Sequence, residues 1–191
     1  MKLLKERIIR QGTVINDDII RVDSFLNHQI DTELIGEIGR EFYRCFCDLP
    51  VTKIVTAETG GIVFALTAAQ AFGNIPVVYA KKGEISTITE ECYSAAVQSF
   101  TRGGSPRLKI SAKYLGPQDH VLLIDDFLAA GSAVSAMVSI CEQAGATICG
   151  AGVVVEKKYM NGRAVLEEKG IPFVSLACIE SARNGQIIFA D

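Results

Sequence analysis

Apolar residues along this chain fall into two alternating patterns. Short unbroken runs read as strands covered on both faces: TKIVTA (52–57), IPVVYA (75–80), HVLLID (120–125), TICGAGVVVEK (147–157) and PFVSLA (172–177). Between them the period lengthens. TELIGEIGREFYRCF sets Leu34, Ile35, Ile38, Phe42 and Phe46 at helical spacing, behind Asp31 or Thr32 as a cap. GGIVFALTAAQAFGN reads as a small-residue helix closing at Gly73, GSAVSAMVSICEQAG as another closing at Gly145, and GRAVLEEKG as a third. Strand alternating with helix predicts an α/β fold, a mostly parallel sheet flanked by helices.

Two regions stand outside the alternation. The leading MKLLKERIIRQG is helical in pattern, and residues 1–35 with 178–191 are expected to form a small hood beside the sheet. Between about 84 and 111 the chain turns Ser/Thr-rich around TRGGSPR, which reads as a hairpin-like excursion or flexible lid. No internal repeat or long linker interrupts the chain, so residues 1–191 are expected to form one domain.

Composition narrows the function classes. Hydrophobic residues make up 49% of the chain, too many for a disordered protein. A net charge of -3 gives no global argument for a nucleic-acid partner. The start carries no signal-peptide pattern, and no apolar run is long enough to span a bilayer, so a soluble, cytoplasmic protein without a membrane partner is expected. The six cysteines form no C-x-x-C and read as reduced small hydrophobes.

Ligands of open α/β sheets bind beyond the carboxyl ends of the strands. Those ends read ETGG, KKGE, DDFLAAGSA and EKKY: carboxylates, lysines and glycine turns suited to a phosphorylated, hydroxylated ligand. In DDFLAAGSA the small residues let backbone approach a ligand, and the loop runs into a helix whose free N–H groups favour a monophosphate. Asp125 and Asp126 precede it at a reach suited to ribose hydroxyls, or to a Mg²⁺ bridged to them. The plainer alternative is a turn and a helix cap. No GxxxxGK[ST] occurs, and the G-x-G of GAGVVV lies inside an apolar strand rather than opening a dinucleotide turn.

VLLIDDFLAAGSA (121–133) resembles the ribose-phosphate signature of the type I phosphoribosyltransferases. TAETGG (56–61) stands where that family has its pyrophosphate loop, and YAKKG (79–83) where it has a basic pyrophosphate contact. VDSFLNHQID, SFT, PQDHVLLIDDFLA and VVVEKKY extend the resemblance over nearly the whole chain and bring it closest to the bacterial xanthine-using branch. The resemblance implies transfer of ribose 5-phosphate from 5-phosphoribosyl 1-pyrophosphate (PRPP) to xanthine, giving XMP and pyrophosphate. It also implies Mg²⁺, bound mainly through PRPP rather than by direct protein ligation, and a homodimer. Carried over by position, Asp125 and Asp126 hold the ribose, and Ala129, Ala130, Gly131, Ser132 and Ala133 hold its 5′-phosphate. Glu58, Thr59, Gly60, Lys81 and Lys82 lie on the pyrophosphate side, and Ile20, Asn27 and Lys157 contact the purine. One departure is Ala130, where the family often has Thr or Asn, so no polar side chain reaches out from that position; Ser132 replaces a commoner larger polar residue. The alternatives are a hypoxanthine/guanine or orotate transferase, and a non-catalytic regulator that senses PRPP or purine on the same fold.

Overall fold

The apolar runs at 53–57, 121–125 and 147–155 become neighbouring strands in a computed structural model that describes residues 1–16, 19–83, 91–97, 106–183 and 185–190. Strands β3 (Lys53–Ala57), β4 (Val77–Lys82), β7 (His120–Leu128), β8 (Thr147–Lys157) and β9 (Phe173–Arg183) run parallel, in the order β9-β8-β7-β3-β4. An antiparallel strand closes one side, β10 (Gln186–Phe189) on β9. On the other side β6 (Arg107–Ser111) pairs with the end of β4, and β5 (Cys92–Ala96) pairs with β6.

Continuous apolar strands need cover on both faces, and the helices supply it. Helices α1 (Lys2–Gln11), α2 (Thr32–Phe46) and α3 (Ile62–Ala71) lie over one face, where Leu4, Ile38, Phe42 and Phe64 pack against Ile54, Leu122, Ile124 and Val154. Helices α4 (Ser132–Gln143) and α5 (Ala164–Glu168) cover the other, with Met137, Ile140 and Leu166 against Val55, Val121, Leu123 and Val153. Asp31 caps α2, accepting the Leu34 N–H at 3.1 Å, and its other oxygen pairs with Arg7 of α1.

The chain termini meet. The Met1 ammonium donates to the Leu176 carbonyl, and Lys5 Nζ reaches the Ala190 carbonyl at 3.2 Å. Between α1 and α2 lie a short antiparallel ribbon, β1 (Thr13–Ile15) with β2 (Ile19–Arg21), and a π-helical turn at Asp23–Asn27. Ile20, Val22, Phe25 and Leu26 bury there against the same core.

Three boundaries differ from the sequence expectation. Strand β7 does not stop at 125: its ladder with β8 continues through Phe127↔Val155 and Leu128↔Glu156, so both aspartates sit within the strand. Strand β9 passes 177 to Arg183 because β10 folds back on it. The helix expected over 162–170 is only α5, opening after Arg163 and ending at Glu168; left-handed Asn161 closes the 3₁₀ turn ahead of it. Of the expected lid, 84–90 and 98–105 lie outside the described residues; 91–97 and 106–111 hold β5 and β6.

Candidate active site

Asp125 and Asp126 are held by their own backbone. The Asp126 N–H donates to Asp125 Oδ1 at 3.0 Å, and the Phe127 N–H donates to Asp126 Oδ1 at 2.8 Å. Asp125 is buried, 6% exposed. Burial first, and then the neighbouring Asp126 charge, push its carboxyl up to about 8. The Asp126 amide and Lys82 pull the other way without cancelling this. Near neutral pH the ligand-free protein therefore presents a carboxylic acid at Asp125, able to donate as well as accept.

The loop after β3 lies directly on this pair. A Cβ added to Gly60 would fall 1.9 Å from Asp126 Oδ2. One added to Gly61 would fall 2.1 Å from Thr56 Oγ1 and 3.0 Å from Asp125 Oδ1. Only glycine lets the 58–61 backbone come so close, and any ligand group held by that loop is brought against the aspartates. The Glu58–Thr59 peptide is cis. The Glu58 carboxylate accepts the Lys82 N–H, and the Glu58 N–H donates to the Ala80 carbonyl at 3.0 Å, so this loop is tied to the end of β4. That end is basic: Lys81 stands directly across from Lys109 of β6, and Lys82 across from Leu108.

The expected phosphate loop follows β7. Gly131 has φ 80, the left-handed region, and opens α4 with no side-chain cap. The Ser135 N–H donates to the Gly131 carbonyl at 2.8 Å, and the amides ahead of it have no acceptor inside the helix. Ala130 is exposed, and its methyl group offers nothing polar. The dipole and free amides of a twelve-residue helix thus face the turn that Ala129–Ala133 forms.

The three expected base contacts differ in setting. Lys157 ends β8, Asn27 is exposed in the π-helical turn, and Ile20 is buried in the core, 6% exposed. Aspartates, phosphate loop, 58–61 loop and Lys157 all lie at the carboxyl ends of parallel strands.

Sequence reasoning missed several neighbours. Thr56 Oγ1 is buried without a hydrogen-bond partner. Gly162 packs under the phosphate loop. Glu156, 1% exposed, makes two 2.6 Å hydrogen bonds with Arg163. Burial pushes the Glu156 carboxyl up, but the Arg163 hydrogen bonds and charge outweigh it and hold it below its ordinary value. Glu156 lies in β8 and Arg163 beyond the turn that follows it, so the pair depends on how the chain reverses between them, and the sequence carries no signal for it.

Among the described residues no group of three or more His, Cys, Asp or Glu side chains could hold a metal. Two carboxylates already engaged by backbone amides are too few for an all-protein Mg²⁺ cage, and fit a Mg²⁺ held chiefly through a phosphorylated ligand.

No protein-family model matches the chain. Full-length relatives do. Xanthine phosphoribosyltransferase of Clostridium novyi is 48% identical over 189 residues, covering 99% of each chain. The enzyme of that name from Lacticaseibacillus casei is 47% identical over 190 residues, 100% of this chain and 98% of its own. Among solved structures, adenine phosphoribosyltransferase of Saccharomyces cerevisiae superposes with a TM-score of 0.73 at 22% identity, over 92% of this chain and 99% of that one. Its counterpart from Giardia lamblia gives 0.74 at 20% identity, over 91% and 96%. At such identity these two show the fold alone.

Proposed function

The chain belongs to the xanthine phosphoribosyltransferase family, and from that premise we propose how its residues transfer ribose 5-phosphate from PRPP to xanthine, giving XMP and pyrophosphate. The enzyme is a pentosyltransferase. One observation carries the residue assignment: Gly60 and Gly61 press the 58–61 loop onto Asp125 and Asp126, at the head of the turn that opens α4. A pyrophosphate on one side and a 5′-phosphate on the other are then bridged by a ribose lying over the aspartates.

In this reading the Ala129–Ala133 turn binds the 5′-phosphate through backbone amides, which orients the sugar. Asp125 and Asp126 take the ribose hydroxyls. As the bond to pyrophosphate lengthens, positive charge grows on the ribose ring, and the aspartates and the fixed phosphate sit where they stabilise it. Lys81 and Lys82 offset the charge of the departing pyrophosphate. Glu58 fixes that loop through the Lys82 amide rather than meeting an anion itself. Mg²⁺, carried in with PRPP, supplies further neutralisation of the pyrophosphate. Ile20, Asn27 and Lys157 hold the base: the last two at polar positions, and Ile20, only 6% exposed, as apolar packing.

We also infer a homodimer, checked by light scattering on the eluting protein. No described helix is long and apolar enough to cross a membrane. None of the six cysteines is in a disulfide, which suits a reducing compartment, and we place the enzyme in the cytoplasm on that ground.

The test is turnover. Mixed with PRPP, xanthine and Mg²⁺, the protein is expected to form XMP and release pyrophosphate in equal amounts. Binding of both substrates without pyrophosphate release would identify a sensor instead.

A further inference from the structure

Gly131 and Gly162 interlock. A Cβ on Gly131 would lie 2.6 Å from the Gly162 carbonyl oxygen, and one on Gly162 would lie 2.2 Å from the Ala129 carbonyl oxygen and 2.8 Å from the Gly131 nitrogen. The obstructing atoms are backbone on both sides, so neither loop can yield by a side-chain rotation. Gly162 is itself buried, and it lies against the turn that holds the 5′-phosphate in the reading above.

What fixes Gly162 is next to it. Arg163 donates from Nε and a terminal guanidinium nitrogen to the two Glu156 oxygens, each at 2.6 Å. Its guanidinium carbon lies 5.5 Å from the centre of the Phe173 ring. A planar fork paired with a buried carboxylate and placed by a ring has little freedom. The pair closes the stretch 156–163 on itself: Lys157 leaves β8 at one end, a 3₁₀ turn at Lys158–Met160 and left-handed Asn161 reverse it, and Gly162 returns at the other.

We propose that Arg163, clamped by Glu156, and Gly162 are positioning residues for PRPP: together they form a buttress that holds the Ala129–Gly131 backbone, and so the phosphate-binding amides, in register. This inference rests on the phosphoribosyltransfer reading, and assigns it residues that touch no substrate.

Gly162→Ala tests it. Its methyl group must push the phosphate loop, so KM for PRPP is expected to rise by about 10- to 100-fold, the scale of a displacement near 1 Å. KM for xanthine is expected to stay within about twofold, a split that general loss of structure would not produce. Arg163→Lys keeps the charge beside Glu156 but cannot fork, and is expected to raise KM for PRPP by roughly tenfold. The same ranking is expected for XMP affinity measured by calorimetry, a readout independent of turnover. Wild-type protein that binds XMP without turnover would fail the enzymatic reading, while the XMP affinities would still decide the buttress. Unchanged PRPP and XMP affinity in Gly162→Ala overturns the proposal, as do equal losses for PRPP and xanthine. If Gly162→Ala does not fold, Arg163→Lys decides: wild-type KM for PRPP in that variant overturns the proposal. Wild-type protein that binds no XMP overturns both readings.

Discussion

Asp125 is the residue whose chemistry the fold alters most. Its carboxyl is raised from 3.8 to about 8, so between those values the folded protein holds a proton that the unfolded chain has released. The stability this group contributes is therefore full below about pH 4 and drains away as pH rises to about 8. Asparagine keeps the oxygen that accepts the Asp126 N–H and carries no such proton. Asp125→Asn should match the parent's melting temperature near pH 4 and exceed it by a widening margin up to pH 8. Scanning calorimetry across that range checks this; a margin that does not change with pH would mean the carboxyl is not raised. At pH 7.5 Asp126→Asn should lose roughly 1.5–3 kcal/mol in kcat/KM for PRPP, the worth of a hydrogen bond to a charged group, and Asp125→Asn, whose carboxyl is still largely protonated there, roughly 0.5–1.5 kcal/mol, the worth of a neutral one. Variants that keep full activity would make the aspartates structural caps. Thr56 makes the complementary case. Its hydroxyl is buried with no partner, an arrangement that costs stability. Thr56→Val keeps the shape and removes the orphan. It should raise stability by about 1 kcal/mol, roughly 2–4 °C in a chain of this size, and a fall in melting temperature would show that the hydroxyl has a partner.

Elements whose identity rests on local pattern were legible, and those set by distant partners were not. A cap at Asp31 or Thr32, which the fold resolves to Asp31, the Leu34–Phe46 stripe of α2 and the ends of β8 follow from neighbours in sequence. Strand β7 outruns its apolar stretch because β8 keeps pairing beyond Asp125. The aspartates and the small-residue turn stood out as a candidate site by their types and order. Their contacts did not: Gly162 meets Gly131 across 31 positions, and a glycine gives no hint of what it lies against. Helices α2 and α3 show the same kind of hidden fit. A Cβ on Gly39 would fall 2.5 Å from the Thr67 carbonyl carbon, and the Thr67 hydroxyl donates to the Ile35 carbonyl at 3.1 Å. Nothing in the sequence separates Gly39 from a residue that merely tolerates glycine. Gly39→Ala should push the two helices apart and cost about 1–3 kcal/mol in urea unfolding. Unchanged stability would mean that the helices adjust freely.

For the whole molecule, scaffold and substrate come apart. The two solved structures compared above are named for adenine, at 20–22% identity, while the two full-length relatives at 47–48% are named for xanthine. One fold carries enzymes named for either base, so the choice must fall to side chains around the purine rather than to the scaffold. In the reading proposed above those are Asn27, Lys157 and the largely buried Ile20. A lysine donates only, which suits an exocyclic oxygen, and xanthine has two; adenine instead presents an amino group and would leave that donor unpaired in a closed site. A site built to bond a group its competitor lacks discriminates far better than an apolar pocket does. Xanthine should therefore exceed adenine in kcat/KM by on the order of 10⁴-fold. Hypoxanthine and guanine keep the 6-oxo group and lack the 2-oxo group, so they should fall between. Steady-state rates with the four bases at fixed PRPP and Mg²⁺ measure the order, and replacing Lys157 with Met should narrow the gap chiefly by slowing xanthine. Adenine turnover within about tenfold of xanthine would remove both the base assignment and the role given to Lys157, since a discrimination that small needs no polar readout at all.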